Sequence, residues 1–248
     1  MNWLARLKLT YLAVRLGVPF FEALRWLPTR PMPQPPGFDV FSPAAWDVWW
    51  KERLAAHTPP IELCHLWEPI RPALPRMRAE NARSVLSVGC GICLDLRAFA
   101  AAGLAVTGLD ISSVAIEYAR TTVLGDRIQH FLDDADLRPG GTLELAHGDL
   151  FDSAQCPGPY DVVLCRSTIQ YFHFDGRLPA AIAAIADRLA PSGLLIIGTH
   201  GAIPAFYAID DALVAAGFRL VNRFEARPSD LFPTKPGERL AWHVCSTG

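Results

Sequence analysis

Charge of either sign is scarce in this 248-residue sequence, because only 19% of its residues are charged and the net charge is -2. No dense run of lysine and arginine occurs, so nothing in the sequence attracts a polyanion, and nucleic acid is disfavoured as a partner. Long apolar runs are missing as well. Within residues 1–30, charged side chains interrupt each apolar run well before the roughly 20 residues that a membrane span requires.

Cysteines are few and scattered, and no secretion signal is recognisable ahead of them. Cys90 and Cys93 form a C-x-x-C pair, but no second pair and no nearby histidine accompanies it, so we expect no metal site. The distribution indicates reduced thiols in a cytoplasmic protein rather than a disulfide framework. The six cysteines are Cys64, Cys90, Cys93, Cys156, Cys165 and Cys245.

Hydrophobic residues make up 51% of the chain, which is enough for one well-buried core. We expect an amphipathic helix with a proline-rich connector over residues 1–40, and one domain with N-terminal cap helices over residues 41–248. The first 30 residues carry apolar side chains at helical spacing, with basic side chains off that line. Such a helix either packs on its own domain or docks on a membrane surface or a partner protein.

A strand, a glycine loop and a helix follow one another over residues 84–103 and organise the predicted site. Residues 84–88 are largely apolar, Gly89 and Gly91 leave room for a ligand at the backbone, and helix-forming residues begin at Leu94. The free amide groups at the start of that helix point at the same place. The sequence therefore predicts a ligand at the end of this strand.

A carboxylate follows the next predicted strand, at Asp110, about twenty residues after Gly89. This spacing is typical of an acid that holds the two hydroxyls of a ribose, so the ligand is predicted to be a nucleoside. A dinucleotide site requires a third small residue three positions after Gly91, where this chain has Leu94. S-adenosylmethionine (SAM) is a nucleoside without phosphate. We therefore favour SAM over NAD, with S-adenosylhomocysteine as the product.

Other residues are assigned to the cofactor from their places beside these strands. Asp149 either accepts a hydrogen bond from the adenine amine or caps a turn. The tryptophans of residues 41–54 either pack on the core or close over the cofactor, since aromatic faces favour a sulfonium cation. The predicted cofactor contacts are Gly89, Cys90, Gly91, Asp95, Asp110, Ile111, Asp149, Leu150, Cys165, Trp46 and Trp50.

Strands and helices alternate after residue 84 and predict an α/β fold. We expect a Rossmann-like, seven-stranded, mostly parallel sheet with helices on both faces and an antiparallel C-terminal strand pair. The expected strands cover residues 84–88, 105–109, 142–146, 160–165, 194–199, 218–225 and 240–246. Residues 166–175 are expected to form a loop, followed by a helix over 175–189.

Ligands bind outside the carboxyl ends of the strands in such a sheet, so the loop over residues 166–175 is expected to face the transferred methyl group. His173 and His200 are the candidate general bases, although either could be structural. Tyr171 and Arg166 are the candidate orienting groups. A thiol acceptor needs only modest help to ionise, whereas an alcohol needs a real base.

These residues resemble a known family. The glycine loop, Asp110, Asp149 and the strand over 160–165 resemble the class I SAM-dependent methyltransferases, over residues 84–246. More narrowly, residues 46–59, 88–95 and 106–112 resemble the thiopurine and halide S-methyltransferase branch, which has tryptophans and a Thr-Pro element ahead of the first strand and an acid at the place of Asp95.

This chain also departs from the family pattern. Ser87 stands where the family usually has an acid, so the contact with the methionine amino group falls to Asp95 or to backbone carbonyls. Cys165 precedes Arg166 where the branch often has an aspartate. The loop over residues 165–172 also resembles that of chemotaxis-receptor methyltransferases.

The resemblance implies an enzyme that transfers a methyl group from SAM to a small, hydrophobic molecule. The acceptor atom is left open among sulfur, nitrogen and oxygen, and no assembly state is predicted. The alternatives are a SAM-binding sensor without turnover, methyl transfer to a protein carboxylate or arsenite, and a dinucleotide oxidoreductase.

Overall fold

The computed structural model describes residues 38–56, 73–92, 96–121, 136–166, 168–200, 203–226 and 240–247. The helices in this part of the chain are α1 (Pro43–Ala56), α2 (Ala73–Ala79), α3 (Leu96–Ala101), α4 (Ser113–Thr121), α5 (Ile169–Phe174), α6 (Leu178–Ala186) and α7 (Ile203–Ala215). The strands are β1 (Ser84–Val88), β2 (Ala105–Asp110), β3 (Thr142–His147), β4 (Tyr160–Arg166), β5 (Leu189–His200), β6 (Phe218–Ala226) and β7 (Leu240–Thr247).

The strands form a single seven-stranded sheet in the order β3-β2-β1-β4-β5-β7-β6. Strands β1 to β5 are parallel, and β7 runs antiparallel between β5 and β6. The predicted Rossmann-like α/β fold is therefore confirmed. From β1 the chain proceeds to β2 on one side, while β4 lies on the other, and this change of direction leaves a crevice outside the carboxyl ends of β1 and β4.

Helices cover both faces of the sheet, because the central strands present apolar side chains to each face in turn. In β4, Val162 and Leu164 face one hydrophobic cluster, whereas Val163 and Cys165 face the other. The first cluster includes residues of α2, α3 and α4, namely Met77, Phe99 and Ile116. The second includes residues of α5, α6 and α7, namely Ile169, Ile182 and Ile209.

The expected loop over residues 166–175 is wrong in part, because α5 occupies Ile169–Phe174. Ile169 and Phe172 lie three residues apart on this short helix, and both are buried in the second cluster, so burial stabilises a helix that the sequence pattern alone does not reveal. Gly176, with φ +73°, separates α5 from α6. The expected helix over 175–189 is accordingly shorter, and β5 begins at Leu189 rather than at 194.

Several expectations lie outside the described residues. They are the amphipathic helix within residues 1–30, the proline-rich connector up to residue 37, and the cofactor contact predicted at Asp95. The division into residues 1–40 and 41–248 stays a prediction. None of the helices in the described ranges is long and apolar enough to cross a membrane.

Candidate functional site

The loop after β1 contains two glycines in the left-handed backbone conformation that favours glycine, with φ +63° at Gly89 and +56° at Gly91. Between them, the amide of Cys90 donates a hydrogen bond of 3.0 Å to the carbonyl of Leu109 at the end of β2. The loop is thereby fixed to the neighbouring strand. Its position beside β2 and β4 is the one predicted for the cofactor site.

Side chains of the protein itself lie against both glycines. Thr168 packs directly on Gly89 and donates a hydrogen bond of 3.2 Å from Oγ1 to the Gly89 carbonyl. A Cβ atom at Gly91 would lie 2.8 Å from Cζ2 of Trp50, so the indole of Trp50 rests on the bare face of that glycine. Both glycines are therefore required by contacts within the protein, in addition to their backbone conformation.

Asp110 ends β2, and its carboxylate binds the glycine loop. Its Oδ2 atom accepts a hydrogen bond of 2.7 Å from the Gly91 amide, and its Oδ1 atom accepts one of 2.8 Å from the Ser112 amide. The side chain is only 8% exposed, and this burial raises the pKa of Asp110 against the opposing effect of the two amides. Each carboxylate oxygen can accept a further hydrogen bond from a ligand hydroxyl.

Helix α1 is attached to the start of α4 through Asp47. The carboxylate accepts hydrogen bonds from Ser112 Oγ at 2.7 Å, Ser113 Oγ at 2.8 Å and the Val114 amide at 3.1 Å. Burial acts to raise the pKa of Asp47, but these hydrogen bonds outweigh it and hold the pKa below its usual value. Asp47 was not predicted as a site residue. The two adjacent hydroxyls that follow Asp110 were the available signal, because such groups require an acceptor.

The start of α1 follows the expected capping pattern, with Pro43 as the first helical residue and the Ala45 amide donating to Ser42 Oγ at 3.3 Å. The two predicted tryptophans of α1 contact different neighbours. Trp50 lies on Gly91, whereas Trp46 packs edge-on against Tyr171 of α5, with ring centroids 5.2 Å apart. Of the two, Trp50 is therefore the one beside the glycine loop.

Aromatic side chains from three parts of the chain form what we call the aromatic cluster, which consists of Phe41, Trp46, Phe151, Tyr171 and Phe172. The ring centroid of Phe172 lies 5.8 Å from that of Phe41 and 5.6 Å from that of Phe151. Phe41 precedes α1, Phe151 follows β3, and Tyr171 and Phe172 belong to α5. The cluster therefore joins α1 to the segments that follow the carboxyl ends of β3 and β4.

Other predicted cofactor residues occupy less direct positions. The Oδ1 atom of Asp149 accepts a hydrogen bond of 3.0 Å from the Phe151 amide, as expected for the turn-capping alternative. Leu150 is only 4% exposed and packs in the second cluster. Ile111 is partly buried, and its carbonyl lies 3.1 Å from Nε2 of His147. Asp95 lies outside the described residues.

The two cysteines predicted at the cofactor have buried thiols. The thiol of Cys165 is fully buried in the second cluster, and burial raises its pKa to about 12. The side chain of Cys90 is buried in the first cluster. The alternation of side chains along β4 places Cys165 with Val163 in the second cluster. Only their backbone groups remain candidates for contact with a ligand.

The residues predicted to act on the methyl acceptor lie at or just after the ends of two neighbouring strands, β4 and β5. Arg166 ends β4 and is paired with Gly198 of β5, and Tyr171 and His173 lie on α5, which follows β4. All three are partly buried. His200 ends β5, two residues beyond Gly198, and its side chain lies outside the described ones. Among the described residues, no group of three or more His, Cys, Asp and Glu side chains could hold a metal ion.

The chemistry of this loop suits a nucleoside that carries a positive charge. The carboxylates of Asp47 and Asp110 lie close enough for the charge on Asp47 to raise the pKa of Asp110. Two negative charges beside the glycine loop oppose a pyrophosphate, whereas they favour a cationic ligand. The indole of Trp50 adds an aromatic face, which also favours a cation such as the sulfonium of SAM.

Comparison with known proteins identifies the family. The model of a family described as a methyltransferase domain matches residues 63–232. The ubiquinone biosynthesis O-methyltransferase of Xanthomonas campestris pv. campestris (strain B100) is 32% identical over 187 residues, which covers 74% of this chain and 70% of that protein. The protein of the same name from Xanthomonas euvesicatoria pv. vesicatoria (strain 85-10) is 30% identical over 186 residues, with the same coverage of both chains.

Two solved structures share the fold. The magnesium protoporphyrin IX methyltransferase of Synechocystis PCC 6803 with bound SAM has a TM-score of 0.53 at 17% identity, covering 97% of each chain. A TehB-like SAM-dependent methyltransferase from Corynebacterium glutamicum ATCC 13032 has a TM-score of 0.51 at 19% identity, covering 83% of this chain and 98% of that one. None of these four proteins is named as a thiopurine or halide methyltransferase, so that finer resemblance stays a hypothesis. The chain belongs to the methyltransferase-domain family, and it is a class I SAM-dependent methyltransferase.

Proposed function

We propose that this enzyme methylates an oxygen atom of a small, hydrophobic, aromatic acceptor such as a phenol. The observation that carries the proposal is the aromatic cluster, which lies between α1 and α5 at the carboxyl ends of the strands. Aromatic side chains provide faces and edges on which a planar ring packs well. The relatives at 30–32% identity are named as O-methyltransferases, which supports oxygen as the acceptor atom.

The cofactor side of the proposal assigns SAM to the crevice beside the glycine loop. Asp110 accepts hydrogen bonds from the ribose hydroxyls, the backbone from Gly89 to Gly91 lines the crevice, and Trp50 covers the cofactor and excludes water. When bound, SAM supplies an electrophilic methyl group on a sulfonium that is a good leaving group. The protein then contributes mainly alignment and a dry cavity.

The acceptor side of the proposal requires a base. A phenol has a pKa near 10, so little of it is ionised at neutral pH, and a positioned base accelerates its methylation by about 10² to 10⁴. We assign this role to the imidazole of His173 on α5, which accepts the phenolic proton. Arg166 at the end of β4 holds the resulting phenolate by its charge, and Tyr171 orients the ring. His200 at the end of β5 is the second candidate base.

A methyl-transfer assay with radiolabelled SAM and a panel of phenols, thiols and amines tests the acceptor class, with the methylated atom identified by mass spectrometry. We expect phenols to be the best acceptors. His173→Gln should lower the rate with a phenol by about 100-fold, because the base is lost. A panel in which phenols gain no label would contradict the proposal.

A thiol acceptor is the second candidate, because the packing of Trp50 on the glycine loop agrees with the thiopurine and halide resemblance. The His173→Gln variant distinguishes a thiol acceptor from a phenol acceptor. A thiol of pKa about 8.5 ionises without a strong base, so His173→Gln should change thiol methylation by no more than a few-fold. Preferred thiol methylation that survives this substitution would replace the phenol proposal.

A further inference from the structure

A closed series of contacts links α1 to the cofactor carboxylate. The Gly91 amide donates to Asp110, and the Ser112 amide donates to the same carboxylate. The hydroxyl of Ser112 donates to Asp47 on α1. Trp50, on the same helix, returns to Gly91. The described structure thus connects the predicted ribose acid to the indole by two routes, one through Gly91 and one through Ser112 and Asp47.

We propose that Asp47 is a positioning residue that holds Trp50 over the cofactor and couples this indole to the occupancy of Asp110. This inference rests on the proposed role of Asp110 as the ribose acid. Asp47 touches neither SAM nor the acceptor in this account. It acts through the start of α4 on one side and through α1 on the other.

The spacing on α1 makes this coupling possible. Asp47 and Trp50 are three residues apart, so their side chains lie on the same face of the helix, about one turn from each other. The three hydrogen bonds of Asp47 all come from the first turn of α4 or the residue before it. A helix N-terminus favours a negative charge, which strengthens this attachment. The hydrogen bonds of Asp47 therefore also hold the indole of Trp50 in its position on Gly91.

Ser112 is the point at which the two carboxylates are connected. It is fully buried, its amide donates to Asp110, and its hydroxyl donates to Asp47 while accepting from the Ala115 amide at 3.2 Å. A ribose hydroxyl bound at Oδ1 of Asp110 shares this oxygen with the amide of Ser112. Any resulting movement of Ser112 is transmitted to Asp47, because the Ser112 hydroxyl is one of its three donors.

A double-mutant cycle on the affinity for S-adenosylhomocysteine, measured by calorimetry, tests the coupling. Asp47→Asn should weaken binding about tenfold, because charge-assisted hydrogen bonds are replaced by weaker neutral ones. In the Trp50→Ala background the same substitution should have less than about a twofold effect, since the indole that it positions is gone. Glu52→Gln, an exposed acid on the same helix, is the matched control and should bind normally.

Equal losses in both backgrounds, or no loss in either, would overturn the inference. Thermal unfolding of each variant checks that the fold persists. If Asp47→Asn does not fold, Ser113→Ala removes one donor and should weaken binding about threefold in the same Trp50-dependent way. Asp110→Asn distinguishes the failure of the two proposals. If Asp110→Asn leaves the affinity for S-adenosylhomocysteine unchanged, the ribose assignment is refuted. If Asp110→Asn weakens this affinity and Asp47→Asn does not, only the coupling is refuted.

Discussion

Gly91 is constrained both by its positive φ and by its contact with Trp50. Gly176 has only the first constraint and therefore serves as a comparison. Gly91 has φ +56° and its missing Cβ faces Trp50, whereas Gly176 has φ +73° and open space where its Cβ would be. We expect alanine at either position to lower the free energy of unfolding by about 1 kcal/mol through backbone strain. Only Gly91→Ala should cost more in urea unfolding and also weaken S-adenosylhomocysteine binding.

The additional cost of Gly91→Ala should fall when Trp50→Ala is introduced with it, because the clash is then removed. Equal effects of Gly91→Ala and Gly176→Ala on both stability and binding would show that the contact with Trp50 has no energetic consequence.

Cys165 should be inert in the folded protein. Its thiol is fully buried and its pKa is raised to about 12 by that burial, so almost none is ionised near neutral pH. We expect iodoacetamide to leave Cys165 unlabelled in the native enzyme and to label it in urea, as read by mass spectrometry of the peptides. Labelling in the native state would contradict the assignment of this thiol to the core.

Among single residues, the sequence predicts those that a local pattern marks, and it misses those that depend on a distant partner. Asp110 was predicted because an acid at the end of a strand after a glycine loop is a local pattern. Asp47 was not, because its donors lie more than sixty residues away. Cys165 was predicted at the cofactor from the strand end alone, and the alternation along β4 places its side chain in the second cluster.

At the scale of elements, Asp161 attaches the start of β4 to the start of β1. Its Oδ2 atom accepts hydrogen bonds from the Arg83 amide at 2.7 Å and the Ser84 amide at 3.0 Å. Burial acts to raise the pKa of Asp161, but these hydrogen bonds outweigh it and the pKa is lowered. The stabilisation is therefore present above the usual aspartate pKa and is lost as the pH falls below it, through the lowered value.

We expect Asp161→Asn to lower the free energy of unfolding by about 1 to 2 kcal/mol at neutral pH, since hydrogen bonds to a charged group become neutral ones. The difference from wild type should shrink as the pH falls to about 3, because the carboxylate of the unfolded chain is then largely protonated, whereas the lowered pKa of the folded one resists protonation. Urea unfolding at both pH values measures this. The exposed Asp187→Asn is the control, and a pH-independent difference for Asp161→Asn would contradict the account.

Elements with a strong pattern were predicted well, and short elements were not. β1 and β4 are apolar runs bounded by turn residues, and both were placed within one residue of their observed ends. α5 was missed because six residues give no helical periodicity, and only the burial of Ile169 and Phe172 explains it. The seven-stranded sheet with its antiparallel C-terminal pair was predicted from the alternation of strands and helices.

In the molecule as a whole, the central strands of the sheet are buried, and α1 packs against α4 and α5. β1, β4 and β5 are adjacent central strands with buried side chains, whereas α1 is held by Asp47, Trp50 and the aromatic cluster. We expect hydrogen exchange to be slowest in the central strands and faster in α1. S-adenosylhomocysteine should slow exchange in α1, and an α1 that exchanges at the same rate with and without it would contradict a covering role.

The crevice beside the glycine loop is proposed to bind a phosphate-free adenosine derivative through Asp110. Calorimetric titration of the wild-type enzyme and of Asp110→Asn with S-adenosylhomocysteine and with NAD tests this most directly. The account predicts that S-adenosylhomocysteine binds the wild type, that NAD does not, and that Asp110→Asn weakens binding by about 100-fold, as expected for two lost charge-assisted hydrogen bonds. Tighter binding of NAD, or an affinity for S-adenosylhomocysteine that Asp110→Asn leaves unchanged, would contradict it.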